Sequence, residues 1–306
     1  MSLIECAGDS HYRRLEGDDA CAIGIVENQA LERLLFDRNL VGGPFLAAVE
    51  SAVHAMLAHA GPTLRASSSV AELVVLSKGT VYQLGQVYRR LLGDALDVNF
   101  VATRRTSVDA SSIEIEVSYT SLNAPAECLL IGDTIASGRT LSRALERCLP
   151  RLAPRRVVIV SLAGSLAGSR EIVAFCRRAG VDCQIILGLA AFGLADNGFD
   201  LSFLHEATLC RDDYRARAAA LFAGKPVSCV GWDFGSQALC RRKYEILCWM
   251  EAHYWGLEYA PCFAHQRAPA PPDLALVAGE LSACRRRFPD AESMLHEAAM
   301  SAGKLG

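Results

Sequence analysis

A chain of 306 residues, 51% hydrophobic and 21% charged, can bury a full core, which excludes global disorder. Its formal net charge of −3 gives no general attraction to nucleic acid or to an anionic membrane, so an anionic ligand must be held by a local device. The opening MSLIECAGDSHYRRLEGDD lacks a basic and apolar leader pattern, and the longest nearly apolar run, Cys183 to Ala195, is shorter than the ~20 residues of a membrane span. A soluble, cytoplasmic protein is expected. The twelve cysteines are scattered without a CxxC, and Cys262 with His265 is the one close ligand-like pair, so reduced thiols are expected rather than disulfides or zinc.

The first 65 residues read as a helical segment: ALERLLFDRNL, then PFLAAVESAVHAMLAHAG, with apolar residues at helical spacing and a C-terminal stop expected at Gly61. From Val70 short apolar runs alternate with amphipathic helices. AELVVL precedes VYQLGQVYRRLLG, whose buried face would carry Val81, Leu84, Val87 and Leu91; DVNFVA and IEIEVSY follow. ECLLIG then leads into LSRALERCL, RRVVIVSL into REIVAFCRRAG, and VDCQIILGLA comes last. Strands and helices at this spacing predict βαβ units and an α/β fold with a parallel sheet, spanning residues 66–235. In IEIEVSY, Ile113, Ile115 and Val117 alternate with Glu114, Glu116 and Ser118, which predicts a half-exposed antiparallel strand between two buried ones in the chain. Residues 236–306 read as a helical extension interrupted by the linker HQRAPAPPD. Its last helix, from about Leu274, would pack on the body or on a second copy in a homodimer.

Three loops follow the carboxyl ends of predicted strands, where open parallel sheets bind ligands. In the first, an apolar strand from Cys128 to Ile131 delivers Asp133, followed by the small, hydroxyl-rich turn Thr134-Ile135-Ala136-Ser137-Gly138-Arg139-Thr140. A helix with Leu141, Ala144, Leu145, Cys148 and Leu149 on one face comes next. The first turn of that helix has unpaired N–H groups and a positive dipole end, so Ser137 to Thr140 can wrap a phosphate. Asp133 lies where a carboxylate can accept hydrogen bonds from sugar hydroxyls.

This segment resembles the phosphoribosyl pyrophosphate (PRPP) motif of the type I phosphoribosyltransferases: an apolar strand, two acidic residues, then small residues ending Thr-Gly-x-Thr. Mapped by that motif, Asp133 would hold the ribose hydroxyls, with Thr134 beside it, and Ala136, Ser137, Gly138, Arg139 and Thr140 the 5′-phosphate. Gly132 departs from it, standing where the first acidic residue is usual, and Ser137 replaces a threonine. The resemblance covers about Val70 to Ala190 and implies a parallel-sheet core with a hairpin hood, flanked here by the N-terminal helices and the C-terminal extension.

By the same resemblance, Ser77-Lys78-Gly79-Thr80 after AELVVL is the pyrophosphate loop. Lys78 is one of four lysines, with Lys225, Lys243 and Lys304, among 31 basic residues, and a compact ammonium on a glycine-containing loop suits a phosphate. TRRTSVDASSIEIEVSY corresponds to the hood. Arg104 and Arg105 point to opposite faces of a strand, so at most one serves the site, and Arg105 is the candidate. Trp232 and Asp233, in WDFG, could reach an acceptor from the C-terminal side, the tryptophan stacking a ring and the aspartate accepting a hydrogen bond.

The resemblance implies displacement of pyrophosphate from C1 of the ribose through an oxocarbenium-like transition state. Magnesium would enter with the PRPP substrate, and the sequence names no protein ligands for it. Asp133, Lys78 and Arg105 are the candidate catalytic residues. In members acting on hypoxanthine or guanine a carboxylate stands at the position of Ala136 and a lysine follows the next strand. Ser161 to Ser169 holds no lysine, so 6-oxopurines are not expected as acceptors. Two other readings remain at this stage. One is a non-catalytic PRPP-binding regulator, which the glycine at 132 suits. The other is a nucleotide- or S-adenosylmethionine-binding enzyme using SLAGSLAGSRE, although that loop lacks G-x-G-x-x-G and no G-K-[ST] follows.

Overall fold

Short β-branched runs form the strands and longer amphipathic runs the helices, in the alternation expected from residue 70 onward. The computed structural model describes residues 2–7, 10–15, 22–37, 40–76, 78–107, 113–196, 198, 200–221, 224 and 236–238. In chain order these form strands Ser2–Ala7 (β1), Ser10–Arg14 (β2) and Ile23–Glu27 (β3), then helices Gln29–Phe36 (α1) and Gly43–Arg65 (α2). Strand Val70–Leu76 (β4) leads through a 3-10 turn, Lys78–Tyr82, into helix Leu84–Leu92 (α3), followed by strands Asp97–Ser107 (β5) and Ile113–Ser121 (β6). Next come strand Cys128–Gly132 (β7), helix Arg139–Leu152 (α4), strands Arg156–Ser161 (β8) and Gly164–Ser165 (β9), and helix Leu166–Arg178 (α5). Strands Asp182–Gly188 (β10), Ala191–Leu194 (β11) and Leu201–Ser202 (β12) and helix Asp212–Leu221 (α6) complete the elements used below.

The main sheet has nine strands in the order β1-β2-β3-β10-β8-β7-β4-β5-β6. Its six central strands, β3 through β5 in that order, run parallel. The two at one edge and the one at the other are antiparallel to their neighbours. Alternate residues of one strand serve opposite cores, as the two-residue period requires. In β8, Val158 and Val160 join the layer built with α1, α2 and α3, whereas Val157 and Ile159 join the layer built with α4 and α5. The α4 face is buried through Leu141, Ala144, Leu145, Cys148 and Leu152, with Leu149 packed at its border. In α3, Leu84, Val87 and Tyr88 are buried, and Val81 and Leu91 pack partly against them. The hood strand β6 is antiparallel to β5 at the sheet edge, with Glu114 and Glu116 exposed and Ile115 and Val117 half-buried.

The expected helical segment 1–65 is corrected near its start, where Ser2–Ala7, Ser10–Arg14 and Ile23–Glu27 form β1, β2 and β3 and extend the main sheet. All five residues of β3, IGIVE, are buried, and the strand lies parallel to β10. So short an apolar run, covered on both sides, has no period that separates strand from helix. The helices that follow share one core with β7, β8 and β10, so they cover a face of the sheet. The stop expected at Gly61 is also corrected: α2 continues to Arg65 with Gly61 buried and Pro62 inside its last turn. Among the described residues, no helix is long and apolar enough to cross a membrane.

Candidate active site

The chain leaves β4 toward β5 on one side and returns at β7 to build β8 and β10 on the other, so the strand order reverses between β4 and β7. At such a point the loops after two neighbouring parallel strands diverge and leave a crevice. Here those loops are the turn beginning at Lys78 and the segment Asp133–Thr140. They lie close: a Cβ on Gly79 would sit 3.3 Å from the Gly132 carbonyl oxygen and 3.3 Å from Val74 Cγ1. Lys78 is half-buried and Thr80 exposed in this turn. Ser77, Trp232 and Asp233 lie outside the described residues.

Asp133 is 6% exposed, and its N–H donates to the Val160 carbonyl at 3.3 Å. Its Oδ1 accepts the Thr134 N–H at 2.8 Å, which closes a turn at the strand end. Thr134, Ala136, Ser137 and Thr140 are half-buried, and Arg139 is exposed at the first helical position of α4. Gly138 takes a left-handed conformation, φ 76°, and no side chain caps the helix, so backbone amides alone begin it. The first helical hydrogen bond runs from the Ser142 N–H to the Gly138 carbonyl at 3.0 Å, and the amides ahead of it face the loop.

The segment after β8 holds this loop in place. Ile135 N–H donates to the Ala163 carbonyl at 3.2 Å and Ser165 N–H to the Ile135 carbonyl at 2.7 Å. The Ser165 hydroxyl donates to the Ala136 carbonyl and accepts the Gly168 N–H at 2.8 Å, capping α5. A Cβ on Gly168 would lie 2.1 Å from the Ala136 carbonyl oxygen, and one on Gly138 would lie 2.5 Å from that of Gly168. The small residues of SLAGSLAG are therefore used in close packing against the Asp133 loop. Ser161, Leu162, Ala163 and Ser165 are fully buried.

The structure thus brings together Lys78, Gly79, Thr80, Asp133, Thr134, Ala136, Ser137, Gly138, Arg139 and Thr140. The hood runs on past the end of β4. β4 pairs with β5 only as far as Leu76 opposite Ala102, and beyond it Thr103–Ser107 pair with β6 alone as a two-stranded ribbon. Arg105 is opposite Ile115 on that ribbon, past the end of β4.

Three residues were not singled out in sequence. Tyr82 is fully buried beneath both loops, its ring filling the space in front of Gly132, where a Cβ would approach Tyr82 Cγ to 2.6 Å. Ser165, three residues ahead of Gly168 at a helix start, had the signature of an N-cap. Glu72 carried no motif. It projects from β4, its carboxylate accepts from the Gly85 N–H, and its Oε2 would be 3.3 Å from a Cβ on Gly85. α3 has no acidic residue in its first turn and no side-chain cap from Gln83, so the strand supplies what the helix lacks.

Burial pushes the Glu72 carboxyl from 4.5 up to about 7, against the opposing pull of the Gly85 N–H. The folded protein therefore keeps a proton that the unfolded chain releases. The stabilisation is complete below pH 4.5 and lost as the pH rises through 7; a shift of this size corresponds to about 3 kcal/mol. Glu72→Gln keeps the acceptor for Gly85 without the charge. The variant is expected to melt higher than the parent at pH 8 and to lose much of the parent's decline between pH 5 and 8, as followed by thermal denaturation across that range.

No family model matches the chain, and no curated protein matches its sequence. Among solved structures it is similar to the AQ2163 protein from Aquifex aeolicus, at 13% identity over 53% of this chain and 85% of that one, with a TM-score of 0.43. It is also similar to a hypoxanthine phosphoribosyltransferase from Staphylococcus aureus, at 13% identity over 46% of this chain and 77% of that one, with a TM-score of 0.34. A third is an adenine phosphoribosyltransferase, at 13% identity over 46% and 79%, with a TM-score of 0.31. Type I phosphoribosyltransferases, the family that the Asp133 segment resembles, thus stand among the solved structures to which this chain is similar.

Proposed function

We propose that this protein is a phosphoribosyltransferase that moves the 5-phosphoribosyl group of PRPP to an acceptor other than a 6-oxopurine and releases pyrophosphate. The observation that carries the reading is the convergence of the Lys78 turn and the Asp133 loop where the strand order reverses, each brought to the other by glycines at 79 and 132.

In this reading the amides from Ser137 to Thr140, at the positive end of α4, bind the 5′-phosphate, and the Ser137 and Thr140 hydroxyls add donors. Asp133 accepts from the ribose hydroxyls. As the C1–oxygen bond to pyrophosphate breaks and the acceptor's nucleophile bonds to C1, negative charge collects on the leaving group. Lys78 and the turn amides meet it there, and Arg105 closes from the hood. Among the described residues no cluster of three or more His, Cys, Asp or Glu side chains could hold a metal alone. Magnesium is commonly held by one or two carboxylates plus substrate oxygens, and Asp133 fits that manner of binding. When bound, magnesium neutralises charge on the phosphates.

A second reading, a PRPP-binding regulator without turnover, is favoured by one observation: Tyr82 fills the space at Gly132, leaving Asp133 without a carboxylate at the preceding position. Pyrophosphate release with a panel of adenine-type, pyrimidine and non-nucleobase acceptors separates the two. Release with any of them supports the enzyme, and saturable PRPP binding with no release supports the regulator. Asp133→Asn is expected to weaken PRPP binding at least about tenfold, since a charge-assisted hydrogen bond contributes roughly 1.5–3 kcal/mol. A change within twofold, by calorimetry, would move the ribose elsewhere.

A further inference from the structure

Tyr82 ends the same turn that begins at Lys78, yet its side chain is fully buried. A buried phenol needs partners for its hydroxyl, and the partners chosen show what the residue joins. Its oxygen accepts the Leu162 N–H at 3.3 Å, in the segment after β8. The same hydroxyl faces those of Thr134 and Ser161. Its ring packs on Gly132, the last residue of β7, so tightly that a Cβ there would come within 2.6–2.8 Å of Tyr82 Cγ, Cβ and Cδ1. One side chain thus touches the ends of β7 and β8 while belonging to the loop after β4. Burial and the charge of Asp133 hold the phenol above its ordinary range, so it remains a hydroxyl at any working pH.

We propose that the Tyr82 hydroxyl is a positioning group, joining the three strand-end loops so that Asp133 and Thr134 are held in register with the Lys78 turn. The proposal rests on the PRPP-binding reading for its functional consequence, but its structural part does not. Packing alone would need only the ring. Joining the loops needs the hydroxyl, whose loss leaves the Leu162 N–H without its partner in a buried place.

Tyr82→Phe separates the two. In the ligand-free variant, amide hydrogen exchange at Asp133, Thr134 and Leu162 should quicken about fivefold or more while the strand amides of β8 and β10 keep wild-type rates; the Kd for PRPP with magnesium should rise about five- to tenfold. Thr134→Val, which removes a facing hydroxyl and preserves its volume, should produce the same local pattern and serves as the test if Tyr82→Phe does not fold. Wild-type exchange at the three amides, or acceleration spread evenly through the sheet, would overturn the proposal. If the parent protein itself binds no PRPP, the functional reading fails, and the exchange rates alone decide whether the hydroxyl joins the loops.

Discussion

Gly132→Asp is expected to unfold the protein under conditions where the parent is stable, although it would add a carboxylate directly before Asp133. The added Cβ would lie 2.6 Å from Tyr82 Cγ and 2.7 Å from Tyr82 Cβ, closer than real Cβ atoms approach a neighbour. Neither partner can move aside easily, since Gly132 is the buried end of a central strand and Tyr82 is fully enclosed. Overpacking costs about 1–3 kcal/mol and an unpaired buried polar group about as much again, so roughly 2–6 kcal/mol should be lost. That is a large fraction of the roughly 5–15 kcal/mol that holds a domain folded. Urea denaturation of the variant should give a midpoint far below the parent's. The double variant Gly132→Asp/Tyr82→Ala should recover part of the loss, because the two sites share one volume. A singly substituted protein with the parent's midpoint would mean that the ring does not occupy this space.

Gly138→Val should abolish phosphate binding and also lower stability. With φ at 76°, a non-glycine residue costs about 1–2 kcal/mol, more for a β-branched one. The added Cβ would lie 2.5 Å from the Gly168 carbonyl oxygen, on backbone that α5 holds fixed. Together these suggest a loss of about 3–5 kcal/mol and a melting midpoint lower by roughly 10 °C. Calorimetry on the folded fraction should detect no PRPP binding, because the displaced turn no longer aims its amides at one point. Undiminished affinity would move the phosphate away from this turn.

How much of this was legible in sequence differs from element to element. The α4 face from Leu141 to Cys148 and the alternation in β6 were readable because each follows a period set by its own neighbours. The Asp133 loop was readable because strand, turn chemistry and helix start lie within one short stretch. β3 was not, since a short run buried on both faces has no period, and its strand identity comes from pairing with β10, over 150 residues away. The pairing of Tyr82 with Gly132 was hidden for a related reason: a glycine reveals nothing of what fills the space beside it. The Gly138–Gly168 contact likewise joins two positions that the chain separates by helix α4 and strand β8.

The central claim is that the crevice between the Lys78 turn and the Asp133 loop binds PRPP. A ligand that binds only the folded protein raises its melting midpoint, by about 2.7 kcal/mol of added stability at a hundred times its Kd. A thermal-shift comparison of PRPP with magnesium against S-adenosylmethionine and a nicotinamide dinucleotide tests it most directly. A saturable rise with PRPP, absent with the other two and reduced in Asp133→Asn, is the expected result. No rise with PRPP, or a larger one with either cofactor, would contradict the claim.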